Sequence, residues 1–238
     1  MSDTRSRLLS VCLPALNEAA NLDAVLQEVV ESVAPHVDRV EIVVTDDGST
    51  DDTPRVLERL VAIHPGLRVV RHEWTRGYGA ACRSAMLAAR GDLLLLTDAD
   101  RQFDLRDLAP CLDALREADA VIGYRARRRD SWRRVAQGWL WTYLVNLLLG
   151  YTARDVNCAF KLVRRDWCQP LLSRVESDGA AFSAEWMARA RRAGVRIREV
   201  PVRHRPRRHG QPTGGQPHVM LRGLGELMRV RRSLRTGR

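Results

Sequence analysis

The stretch Gly91–Phe103, GDLLLLTDADRQF, sets four consecutive leucines, Leu93 to Leu96, directly ahead of Thr97, Asp98, Ala99 and Asp100. An apolar run without alternation reads as a strand buried on both faces, the situation of a central strand in a parallel sheet. Its abrupt polar end places two carboxylates where the strand emerges. In extended backbone, residues i and i+2 point the same way, so Asp98 and Asp100 share a side and Ala99 takes the other. Two carboxylates converging on one point repel each other unless a cation lies between them. Oxygen donors of this kind suit Mg²⁺ or Mn²⁺, with the Gln102 amide oxygen as a third donor from the next i+2 position. Such an ion usually takes one or two carboxylates and fills its shell with water and substrate phosphates, so the pattern points to a nucleoside diphosphate. Taken alone, the tripeptide also admits a plainer reading, in which Asp100 caps a helix starting near Leu105 or both acids are solvated.

Outward from this strand, residues 8–13 (LLSVCL), 39–45 (RVEIVVT), 67–72 (LRVVRH) and 119–124 (ADAVIG) read as further short buried strands. Between them, 21–34, 52–63, 78–90 and 105–117 carry apolar residues at helical spacing. The alternation predicts an α/β fold, a mostly parallel sheet with helices on both faces. Ligands in such sheets bind beyond the carboxyl ends of the strands. Two more strands end in suggestive polar segments, Pro14-Ala15-Leu16-Asn17-Glu18 and Asp46-Asp47-Gly48-Ser49-Thr50. Asp46 and Asp47 have the chemistry to accept from a base N–H or a ribose hydroxyl; a simple turn and helix cap is the plainer alternative. Beyond Arg125 the pattern loosens into a charged loop, a helix at 132–149, a possible strand at 155–163, a helix near 183–193 and a strand at 195–202. A basic loop (203–217) and a basic helix (218–235) follow.

The 238 residues, 45% hydrophobic, suffice for one large domain. Five cysteines without a CxxC pair indicate neither a disulfide framework nor structural zinc, and fit a reducing cytoplasm. The N-terminus lacks the apolar run of a signal peptide, and the longest nearly apolar segment, Gly138 to Tyr151, is too short to span a bilayer. Charge is divided: residues 1–120 carry net −8 and residues 121–238 net +18. A half that basic faces nucleic acid, anionic lipid or a phosphorylated substrate, or is simply a solvated arginine-rich surface. Lys161 is the only lysine and follows no glycine-rich turn, so there is no P-loop. GYGAAC, Gly77 to Cys82, is a broken dinucleotide fingerprint, and no nucleophile-histidine set stands out. His204 and His209, in the basic loop, read as phosphate-side or solvent residues rather than metal ligands.

The blocks LPALNEAANL, VVTDDGSTDDT, RGYGAACRSAM, GDLLLLTDADRQFD, AVIGYRARRRD, DVNCAFKLVRR and EVPVRHRPRRHG occur in an order that resembles family 2 glycosyltransferases of GT-A fold. The resemblance covers roughly residues 8 to 213. It is greatest to the branch of dolichyl-phosphate mannose synthases and bacterial polyprenyl-phosphate glycosyltransferases. It implies nucleotide-sugar contacts from Pro14, Ala15, Leu16, Glu18, Asp46, Asp47, Arg76, Asp98, Ala99 and Asp100, and metal contacts from Asp98, Asp100 and Gln102. Arg125, Arg207 and either Arg133 or its neighbour Arg134 match basic positions facing donor and acceptor phosphates, and Asp155 matches an acid near the acceptor phosphate. Two departures stand out: Leu16 replaces a usual tyrosine, and the RxxGxSK ending appears as Arg207, Gly210, Pro212 and Thr213, without its lysine.

The resemblance implies an inverting, metal-dependent transfer of a sugar from a GDP- or UDP-sugar to a polyprenyl phosphate. A phosphate monoester is already anionic and needs no strong protein base. Residues 1–217 would form the transferase domain, with a nucleotide and metal half to about 125 and an acceptor half after it. Residues 218–238 would form a basic helix with Met220, Leu224, Leu227 and Met228 on one face, laid on the anionic inner face of the membrane. The helix bearing Trp139 and Trp141 either sits at that interface, packs in the core or forms a homo-oligomer contact. A hydroxyl acceptor would instead require a base, for which Asp155 and Glu185 are candidates. A nucleic-acid-binding protein would use the arginines at 125–134 and 203–208, but leaves the three acidic strand ends unexplained.

Overall fold

The computed structural model describes residues 8–127, 131–207 and 217–236. Among them, seven strands form one sheet: β1 (Leu8–Ala15), β2 (Arg39–Asp46), β3 (Leu67–Arg71), β4 (Leu93–Leu96), β5 (Ala120–Arg127), β6 (Lys161–Arg164) and β7 (Ile197–Arg203). The order across the sheet is β3-β2-β1-β4-β6-β5-β7. All pairings are parallel except those of β6, which runs antiparallel between β4 and β5.

The four leucines explain how this sheet is clothed. Leu93 and Leu95 face one core, with Leu22 of helix α1 (Ala19–Ser32), Leu57 of α2 (Thr53–Ile63) and Leu108 of α4 (Leu108–Ala114). Leu94 and Leu96 face a second core, with Met86 of α3 (Tyr78–Ala88), Trp141 of α5 (Trp132–Leu149) and Cys168 of α6 (Arg165–Leu172). Phe182 of α7 (Phe182–Arg192) and Leu227 of α8 (Pro217–Thr236) complete it. All four leucines are fully buried. At roughly 1.5–3 kcal/mol per buried leucine, this strand is a major fixed point of the domain.

Register then sets the site. Cys12 of β1 pairs with Leu96, the Thr97 amide donates to the Cys12 carbonyl at 3.1 Å, and Ala15 pairs with Asp46. The polar ends of β1, β2 and β4 therefore emerge side by side.

Two local expectations change, and one helix was not anticipated. The helix expected at 105–117 is a 3₁₀ turn over Leu105–Asp107 followed by the shorter α4. Starting at Leu108 puts Pro110 in the first turn, where its missing N–H is not needed. The possible strand at 155–163 begins only at Lys161. Residues 155–160 instead form a turn, with the Cys158 amide donating to the Asp155 carbonyl and the Gly123 amide to that of Phe160. Helix α6 carries Pro170 within it, which masked it in the sequence. The C-terminal helix shares the second core, with Gly223, Leu227, Val230 and Leu234 as its inward stripe.

Candidate active site

The loops after β1 and β2 interlock before they present anything to a ligand. Asn17, held at φ 56°, accepts from the Thr50 and Asp51 amides at 2.8 and 3.3 Å, and its own amide donates to Ser49 Oγ at 2.9 Å. The Glu18 amide donates to Thr53 Oγ1 at 2.8 Å. Asp46 accepts from the Ser49 amide at 3.0 Å and from Arg71 Nε at 3.4 Å. Asp47 is buried and accepts from the Arg76 and Gly77 amides, both at 2.9 Å, and pairs with His72 Nδ1 at 2.6 Å. Its carboxylate thus fixes the entry to α3. Gly48 (φ 71°) lets this loop pass under 74–75, where a Cβ would lie 2.6 Å from the Thr75 nitrogen. Pro14 and Ala15 are buried, Leu16 is half-buried and the Arg76 residue is exposed at the rim.

Beyond β4, Asp98 Oδ1 accepts from Tyr78 Oη at 3.0 Å, while Asp100 accepts from the Gln102 amide at 3.0 Å and from Arg207 Nη2 at 2.5 Å. Arg207 also reaches Glu18 at 3.6 Å, so one guanidinium ties the loops after β1 and β4. Asp98 is pushed up to about 7, first by burial and then by the charge of Asp100. Asp100 and Glu18 are likewise raised by burial, against the opposing charge of Arg207 on both. Burial outweighs the guanidinium beside them in each case. Between Asp100 and Gln102, Arg101 adopts φ 61°, a left-handed turn uncommon outside glycine. The Gln102 amide nitrogen donates to the Arg205 carbonyl at 3.3 Å.

The donor set fits a divalent ion of the magnesium type. Among the described residues no group of three or more His, Cys, Asp or Glu is placed to hold a metal, and two adjacent carboxylates are what such an ion takes when phosphates supply the rest. The raised pKa of Asp98 gives a sign to test. Between the ordinary carboxylate range and about pH 7, folded Asp98 holds a proton that the unfolded chain has lost, so its contribution to stability falls as pH rises through that window. A cation competes for the same oxygens. Mn²⁺ affinity, measured by electron paramagnetic resonance, is expected to rise with pH to about 7 and then level off. A flat profile from pH 6 to 8 would contradict this.

Arg125 and Asp155, read separately from the sequence, meet in the structure. Arg125 Nε and Nη2 donate to the two oxygens of Asp155 at 2.7 and 2.8 Å. Of the neighbours Arg133 and Arg134, it is Arg134 whose charge bears on Asp100; Arg133 is exposed, 5.6 Å from the ring centre of Trp132. Glu185 does not reach the site: it is buried under the Glu176 and Ser177 amides and Arg189 Nε. Gly210, Pro212, Thr213 and His209 lie outside the described residues.

Several participants went unread. His72 bridges Asp47 and Ser84. Asp104, Asp107 and Glu28 anchor the basic segment after β7: Arg203 meets Asp107 at 2.7 Å, and Arg205 meets Asp104 and Glu28, each at 2.9 Å. Although burial raises it, Asp104 is held well below the ordinary carboxylate range by Arg106 and Arg205. Alternation in RHRPR, which puts Arg203, Arg205 and Arg207 on one side of an extended segment, was the available signal.

Comparison with known proteins gives the family and the fold. The family model described as glycosyl transferase family 2 matches residues 10–172. The chain belongs to glycosyl transferase family 2. It is 34% identical over 212 residues to glycosyltransferase AglD of Haloferax volcanii, covering 84% of this chain and 33% of that protein. It is 30% identical over 212 residues to dodecaprenyl-phosphate galacturonate synthase of Rhizobium johnstonii, covering 85% of this chain and 60% of that one. The chain therefore spans a third to three fifths of these two relatives. The fold of this family 2 chain is also that of glucosyl-3-phosphoglycerate synthase from Mycobacterium tuberculosis, in complex with Mn²⁺, UDP and glucosyl-3-phosphoglycerate. The TM-score is 0.68 at 23% identity, over 94% of this chain and 80% of the other.

Proposed function

We propose that this chain moves a sugar, with inversion, from a GDP- or UDP-sugar to a polyprenyl phosphate, using Mg²⁺ or Mn²⁺ held by Asp98, Asp100 and Gln102. The observation that carries the reading is the pair of carboxylates just beyond β4, Asp98 and Asp100, with Asp100 joined by Arg207 to the loop after β1. Bound there, the ion would neutralise the diphosphate as it departs. Pro14, Ala15, Leu16, Glu18, Asp46, Asp47 and Arg76 would line the nucleotide end, Asp47 chiefly by fixing the loop. Arg207 and Arg134 would face the phosphates, and the Arg125–Asp155 pair would stand beside the acceptor.

A phosphate acceptor suits the groups present. A hydroxyl acceptor would need a base, but Asp155 has both oxygens in a bidentate ion pair and Glu185 is turned into the core. A nucleic-acid-binding role would leave the acidic segments that end β1, β2 and β4 without a use. The names of relatives such as the dodecaprenyl-phosphate galacturonate synthase favour a polyprenyl phosphate. The decisive assay offers a panel of GDP- and UDP-sugars with Mn²⁺ or Mg²⁺, plus either a polyprenyl phosphate or soluble alcohols, and weighs the product by mass spectrometry. Transfer to the alcohols alone would overturn the acceptor.

The same acceptor accounts for an apolar surface. Helix α5 turns Trp141 inward against Gly223 but exposes Trp132 (75%), Trp139 (69%) and Leu147 (65%), with Trp139 stacked on Tyr143. On α8, Leu227 is in the core, so the docking face expected there shifts to Leu221, Leu224 and Met228. No helix among the described residues is long and apolar enough to cross a membrane. We place this face, with Arg222, Arg229 and Arg232 on α8, on the anionic cytoplasmic surface of a bilayer, where each basic residue contributes about 1 kcal/mol. The double substitution Trp139→Glu and Leu147→Glu is expected to cut flotation with phosphatidylserine-containing liposomes by about tenfold or more, leaving nucleotide binding unchanged. Unchanged flotation would refute the docking face.

A further inference from the structure

The sequence places 38 arginines against a single lysine, and that lysine sits at a basic position wholly enclosed by protein. Lys161 opens β6, paired with Leu96 on one side and Ile122 on the other. It therefore lies two residues short of Asp98, which follows β4, and three short of Arg125 on β5. Its Nζ donates to the carbonyls of Cys158 and of Val156, the latter at 3.4 Å, and to Ser183 Oγ at 3.5 Å. Those carbonyls belong to the turn whose first residue, Asp155, clasps Arg125.

The choice of lysine has a physical reason. Three oxygens converge on one point, which a compact ammonium with three rotatable donors can satisfy and a planar guanidinium cannot. Burial pushes the ammonium down from its ordinary value, while the carboxylates of Asp155 and Asp98 oppose that shift. Its own charge favours the ionised form of Asp98 in return. An enclosed cation is expensive, and a methionine of similar length would fill the space without that cost.

We propose that Lys161 is a positioning residue: by closing the 155–160 turn from beneath, its ammonium sets Asp155, and through it Arg125, against the reacting end of β4. The proposal rests on the transferase reading above. It makes Lys161 act on turnover through Asp155 rather than on nucleotide binding.

The test is a double-mutant cycle of Lys161→Met and Asp155→Asn, with kcat, the donor KM, UDP or GDP binding by calorimetry, and thermal melting read for each protein. Lys161→Met is expected to lower kcat on the order of 30- to 100-fold, with the donor KM and nucleotide affinity within about threefold of the parent. In the Asp155→Asn background the same change should cost less than about threefold. A kcat within threefold of the parent, or effects that simply multiply, would overturn the proposal. Should Lys161→Met fail to fold, Ser183→Ala decides: it removes one contact and keeps the charge, so kcat should fall about threefold at unchanged donor KM, and an unchanged kcat refutes the role. Retained turnover in Asp100→Ala would instead sink the transferase site itself, so the two failures are distinguishable.

Discussion

Replacing Asp100 by alanine is expected to reduce transfer by at least about three orders of magnitude while leaving the protein folded. A unit charge pair at about 4 Å is worth on the order of 4 kcal/mol at an effective dielectric of 20, and each 1.36 kcal/mol is tenfold in rate. On the proposed reading, losing one of two carboxylates would remove most of the grip on a divalent ion, and a departing diphosphate would then lack that counterion. Stability should move little. In the parent, Asp100 is raised by burial, so its ionised form is held at a cost. Its partner Arg207 has a quarter of its side chain in solvent and keeps Glu18 within reach. Melting and turnover measured together check this: loss of both would mark Asp100 as a structural residue, and retained turnover would refute the metal assignment.

The second large effect belongs to Arg207. Its fork reaches Asp100 and Glu18, and its buried Nε has no hydrogen-bond partner among the described residues. A guanidinium with a donor to spare beside two acids is suited to take a phosphate oxygen. Arg207→Ala should lower kcat on the order of 10²- to 10³-fold and weaken nucleoside diphosphate binding measurably by calorimetry. Arg207→Lys should restore only part of this, because an ammonium is a point charge and cannot bridge two partners as the fork does. Full activity in the lysine variant would reduce the role to net charge alone.

What the sequence disclosed, it disclosed through short-range patterns. Four leucines without alternation announced a strand covered on both faces, and Leu93 to Leu96 do divide between two cores. The extended i and i+2 geometry expected of Asp98 and Asp100 gives way to a turn at Ala99 and Asp100, because Arg101 bends the chain at φ 61°. Partners fixed by tertiary register were not legible. His72 reaches Asp47 across 25 residues and Arg205 reaches Glu28 across 177, distances over which no local pattern carries information. Helical phase explains two points the sequence left open. Trp139 and Trp141 lie two residues apart in an apolar run, and only packing against Gly223 decides which turns inward. Arg133 and Arg134 differ by one step of about 100°, enough to send one to Trp132 and the charge of the other to Asp100. Lys161 was dismissed as the wrong lysine for a phosphate loop, because its partners are backbone carbonyls that sequence does not display.

The division of charge, −8 before residue 121 and +18 after it, also acquires a location. Acids from the first part and arginines from the second meet across the end of β4, with Arg207 on Asp100 and Arg203 and Arg205 on Asp107 and Asp104. The opposite charges of the two parts are thus paired where they meet.

The most direct test is a crystal of this protein soaked with Mn²⁺ and its nucleotide sugar, with the anomalous signal used to find the metal. The account predicts a manganese peak between the Asp98 and Asp100 carboxylates and bonded to oxygens of both phosphoryl groups. A nucleotide seated elsewhere, or a metal that leaves those two side chains untouched, would contradict it.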